Sequence, residues 1–110
     1  MQKTSLLTLS ILATAVITAE RFITAAGAPA AAAANAVGVA DSNGAIGQLV
    51  PTSVLGTAIV VAGGAVAKNA AVEVGTAGKA VTASAGKVVA RALTAATADG
   101  DRIEVLLIPN

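Results

Sequence analysis

Short β-prone runs recur along this chain with turn residues between them, and that punctuation confines the fold to strands joined by tight connections. Strands are predicted near residues 6–12, 16–25, 36–40, 46–54, 57–62, 71–75, 79–83, 87–93 and 102–108. The clearest hairpin is "AAVEVGTAGKAVTA". Val72 and Val74 alternate with Ala71 and Glu73, Gly75 to Gly78 supply turn residues that tolerate positive φ, and Val81 resumes the alternation. Near the end, Asp99-Gly100-Asp101 turns the chain; Ile103, Val105 and Leu107 then oppose Arg102, Glu104 and Leu106 until Pro109 stops the ladder. Ala30 to Ala34 read as a loop or one helical turn, with low-complexity disorder as the alternative. Thr94 to Ala98 fit a single helical turn. The expected fold class is all-β: a small compact β-barrel or β-sandwich-like domain with an extended N-terminal arm or strand and at most short helical turns.

Residues 3–30 have the parts of an export signal: Lys3, an apolar run from Leu6 to Ile17, and the small residues Ala28-Pro29-Ala30. Their fine pattern differs from one. Leu7, Leu9 and Ile11 alternate with Thr8 and Ser10, and threonines continue among β-branched residues to Thr24, as in a strand with one apolar and one wetter face. The segment is therefore expected to belong to the mature fold. Residues 42–67 carry no charge and are long enough to span a bilayer, but Asn43, Gly47, Gln48, Pro51, Gly56 and Gly63 break them into strands and turns.

At 110 residues one domain, 1–110, is expected. The chain is 55% hydrophobic, yet Phe22 is its only aromatic residue and alanine supplies much of the apolar content. Each Ala in place of Leu forgoes about three buried carbons at roughly 0.8 kcal/mol each. A core built this way predicts further burial between subunits, hence an oligomer, although an ordinary small β domain held by its Val, Ile and Leu residues also fits.

Candidates for chemistry are few. With no histidine and no cysteine, a histidine-based triad, a thiolate site and a disulfide framework are impossible. Asp99, Asp101 and Glu104 form the only acidic cluster; carboxylates so spaced can work as acid and base or hold a cation, but flanking a turn glycine they are ordinary solvated turn residues. "VVAGGAVAKNA" lacks the phosphate-loop spacing. Seven basic and six acidic residues are scattered, so neither nucleic-acid nor membrane binding is indicated. No cofactor is expected. Phe22, beside Glu20 and Arg21, is either a core residue or an interface anchor.

Four pieces of the chain, in this order and spacing, resemble the capsid cement, or head decoration, family of tailed bacteriophages and prophages: "GVA" at 38–40, "GQLVPTSVLGTAIV" at 47–60, "AAVEVGTAGKAVT" at 70–82 and "RALTAATADGDRIEVLLI" at 91–108. Ala90 stands where a glycine is expected, and "AKN" at 67–69 where a glycine-aspartate turn is expected, which puts the turn geometry there in question. The resemblance implies a β core over 36–108, an N-terminal arm or strands over 1–25, and a non-enzymatic protein on the outer surface of the virion capsid. Its implied partner is the major capsid protein, and its implied state a homo-oligomer, trimer favoured and dimer possible. An edge strand can add to a neighbour's sheet, so Leu6, Leu7, Leu9, Ile11, Phe22 and Ile23 become the candidate capsid or subunit interface. A secreted or surface-anchored β protein with residues 3–30 as its signal is the alternative.

Overall fold

The computed structural model describes residues 3–108. They fold as strands β1 (Ser5–Leu12), β2 (Phe22–Ile23), β3 (Gly38–Ala40), β4 (Leu49–Val61), β5 (Ala71–Val74), β6 (Ala80–Thr82), β7 (Ala90–Ala92) and β8 (Arg102–Leu107), with one 3-10 turn, Thr76–Gly78, inside the β5–β6 hairpin. The fold is all-β. Every strand pair is antiparallel, in the order β2-β3-β4-β8-β7-β5-β6, and β1 also pairs with β4. Beyond β4, Ala62 bridges Ala80 in parallel and the Gly63 N–H donates to the Ala80 carbonyl at 2.7 Å, which nearly closes the sheet into a barrel. Among the described residues no helix is long and apolar enough to cross a membrane.

Local chemistry explains where elements differ from expectation. The strands predicted at 46–54 and 57–62 are one continuous β4, because Gly56 does not turn the chain. It sits opposite Ser5 at φ +98, where a Cβ would lie 2.4 Å from the Thr4 carbonyl oxygen, and absorbs a β-bulge. The strand predicted at 16–25 shrinks to β2, since Glu20 takes φ +64 and leaves Ile17 only an isolated bridge to Gly44. Residues 94–98 form no helical turn; Ala96 instead bridges Val66 in extended geometry. Ala31 to Ala34 form a turn with Ala33 at φ +64, tied to β5 by its N–H donating to the Val74 carbonyl at 2.8 Å. Asn69 makes its turn at φ +71, a conformation asparagine tolerates, while Ala90 is buried between Val72 and Leu107.

The backbone contains the same unit twice. Residues 13–20, 40–47, 62–69 and 92–100 are versions of one loop: each leaves a strand at a buried alanine (Ala13, Ala40, Ala62, Ala92) and turns at positive φ (Glu20, Gly47, Asn69, Gly100). The first two are joined by the bridge Ile17↔Gly44, the last two by Val66↔Ala96. Hydrogen bonds match pairwise: Glu20 N–H to Ala40 O and Asn69 N–H to Ala92 O, both 2.8 Å. Strand order matches too. An N-terminal repeat runs β1-β4-β3-β2 and a C-terminal repeat runs β4-β8-β7-β5, so the two halves of the long β4 serve one repeat each.

Two apolar clusters fill the interior. The larger joins Val60, Val72, Val74, Ile103 and Val105 to Phe22 and Val39, and so lies between the repeats. The smaller holds Ala13, Ile17, Ile23, Ala40 and Val50, with Ile11 and Val37 packed against it. Side chains from the signal-like segment thus sit in both, each of the larger ones worth roughly 1.5–3 kcal/mol when fully buried.

Candidate functional site

The surface that stands out is the ribbon of β1 and the first half of β4. Alternation places Leu7, Leu9 and Ile11 on one face of β1, and the register sets Leu9 opposite Thr52, Ile11 opposite Val50 and Leu12 opposite Leu49. Pro51 is tolerated within β4 because the β3 ladder ends at Ala40↔Thr52, and its carbonyl accepts from the Asp41 N–H at 2.8 Å. At the far end of the ribbon the Thr57 N–H donates to the Thr4 carbonyl at 2.8 Å, and the Thr4 N–H donates to Thr57 Oγ1 at 2.7 Å. Lys3 pairs with Asp41, whose carboxylate also accepts the hydroxyl of buried Ser53 at 2.9 and 3.1 Å. These bonds hold β1 on β4; among the described residues no strand lies beside its other edge, and only that edge's end at Leu12 is met by Gly27.

Exposure separates the predicted interface residues. Leu6, Leu7 and Leu9 are exposed, Leu6 at 73%, whereas Ile11 is half-buried against the smaller cluster. Phe22 and Ile23 are 0% and 1% exposed. They present no surface to a partner, because β2 is covered by β3 on one side and by residues 28–30 on the other, with the Ala30 N–H donating to the Phe22 carbonyl at 3.1 Å. Leu12, Leu49 and Leu55 are exposed on the same ribbon and were not singled out from the sequence. Only the register, pairing Leu12 with Leu49 and Leu7 with Leu55, brings them to β1.

Carboxylates among the described residues hold turns, loops and ion pairs. Asp101 accepts from the Thr97 N–H (2.9 Å), the Thr97 hydroxyl (3.0 Å) and the Ala98 N–H (3.1 Å), and these bonds hold its carboxyl below the usual carboxylate range. Asp99 pairs with Lys79 at 3.0 Å. Glu73, buried in β5, accepts the Ser84 N–H and hydroxyl at 2.6 and 2.9 Å and so pins the loop after β6. The Arg102 guanidinium pairs with Glu20, which raises its pKa further and ties the two repeats together. No group of His, Cys, Asp or Glu suited to a metal ion occurs among the described residues.

Among the described residues this ribbon presents a leucine-flanked edge with no strand beside it. The sequence matches the family described as phage cement protein over residues 1–107. The chain belongs to that family. Membership in the phage cement family gives it a structural role in the phage head, on the outer surface of the virion capsid. The fold is also similar to that of the head fiber gp8.5 N base in bacteriophage phi29, with a TM-score of 0.75, 20% sequence identity and 93% of each chain covered. No match is found among curated proteins.

Proposed function

We propose that the protein binds the outside of the phage head and stabilises contacts between major capsid proteins, doing no chemistry. The observation that carries this reading is the uncharged, leucine-flanked edge of β1, a surface suited to holding a neighbouring chain by backbone bonds and apolar contact. Many weak contacts repeated around a shell add to a large resistance, because all must give way when it opens. The protein acts as a homotrimer, in keeping with a core poor in large side chains. Particles assembled without it are expected to look normal, release DNA at lower temperature and regain resistance when the purified protein is added back. Equal heat resistance with and without it, at verified full occupancy, removes reinforcement as its role. Light scattering at micromolar concentration tests the trimer.

A further inference from the structure

We infer that the two repeats have divided the work: the end of the N-terminal repeat, made by β1, the start of β4 and loops 13–20 and 40–47, is the face seated on the capsid, and the C-terminal repeat faces solvent. This rests on the cement reading of the preceding subsection. Equivalent backbone positions carry opposite chemistry. Gly47 and Gly100 occupy one place in their loops, each donating its N–H to the alanine that leaves the adjoining strand, Ala13 or Ala62. Counting from them, Ile46 corresponds to Asp99 and Leu49 to Arg102; the strand pairs Leu12↔Leu49 and Val61↔Arg102 confirm the match. Counting from Ala13 and Ala62, Val16 corresponds to Ala65.

The same loop in the same chain therefore presents Val16, Ile46 and Leu49, each 66% to 69% exposed, at one end, and an alanine, an aspartate and an arginine at the other. The C-terminal repeat shows what this backbone carries when it meets water, so the apolar set answers a requirement other than folding. Charge divides the same way: nine of the thirteen charged residues lie from Lys68 onward, and residues 4–19 and 42–67 have none. The occupant is the head surface, because the family places the chain there and the only charges in this end's two loops are already paired, Asp41 with Lys3 and Glu20 with Arg102. A second copy is the competing occupant. It would pair this end with its own counterpart, and the oligomeric state separates that case from head binding.

The C-terminal repeat also supplies the substitutions that test this, since its backbone already accepts them. Ile46→Asp with Leu49→Arg, and separately Leu49→Gln, are compared with Val88→Arg and Leu106→Arg, exposed apolar positions of the C-terminal repeat. Co-sedimentation with undecorated heads is read together with melting temperature and light scattering. The expected result is a loss of head affinity of about tenfold or more for both N-terminal variants, as for an uncompensated polar group in an interface, with unchanged melting and oligomeric state. Val88→Arg and Leu106→Arg should bind as the unaltered protein does. Unchanged binding of the N-terminal variants, or loss in the C-terminal ones, overturns the assignment. So does a change of oligomeric state with head binding retained, which makes this end a self-contact. If the unaltered protein does not bind heads, the cement reading itself falls.

Discussion

Gly47 and Gly100 are the same residue of two repeats: their N–H groups donate to Ala13 and Ala62 at 2.9 and 2.8 Å, and their φ angles are +91 and +95. A Cβ at either would meet nothing within 4 Å, so the backbone angle alone selects glycine. Gly47→Ala and Gly100→Ala are each expected to cost about 1–2 kcal/mol, the strain of an L-residue in that region. Urea denaturation midpoints check this, and markedly unequal losses would break the equivalence.

Gly56 is a different case. Its Cβ would collide with backbone, 2.4 Å from the Thr4 carbonyl oxygen and 2.9 Å from the Leu6 nitrogen, in addition to the strain at φ +98. Gly56→Val should therefore exceed the loss of either turn glycine and detach the start of β1. Faster hydrogen exchange at the Thr57 amide, which donates to Thr4, reports the detachment.

Phe22 and Leu6 should separate stability from binding. Phe22→Ala empties the centre of the larger cluster and should cost about 3–5 kcal/mol. Leu6→Ala, on an exposed side chain, should change stability by less than about 0.5 kcal/mol while weakening attachment to heads. Deleting residues 2–12 is a poorer test, because it also strips β4 of its β1 ladder and the smaller cluster of Ile11. That truncation is expected to lower the melting temperature as well as binding.

Asp101 gives a pH dependence of known sign. Its folded pKa lies below the unfolded value, so its contribution is present above the ordinary carboxylate range near about 4 and is lost as pH falls through the lowered pKa. The Thr97 and Ala98 amides should exchange faster in that acid window. In Asp101→Ala they should be fast at neutral pH as well, with no further acid step; an acid step of wild-type size in the variant would assign the effect to another group.

The amino-acid sequence by itself determined the all-β class, the hairpin of Val72 and Val74 with Val81, the C-terminal strand that buries Ile103, Val105 and Leu107, and membership of the cement family. These were legible because a period-2 pattern and its turn are local, involving residues a few positions apart. What tertiary structure decided depended on residues far apart in the chain. Gly56 resembles a turn until Thr4 is seen across from it, and Phe22 and Ile23 become interior only because β3 and residues 28–30 close over β2. Leu49 joins the β1 surface only through its register with Leu12. The repeat was hidden for the same reason: backbone hydrogen bonds and φ angles recur while Ile46 and Leu49 face Asp99 and Arg102 as their counterparts, so the shared geometry leaves little trace in side-chain identity.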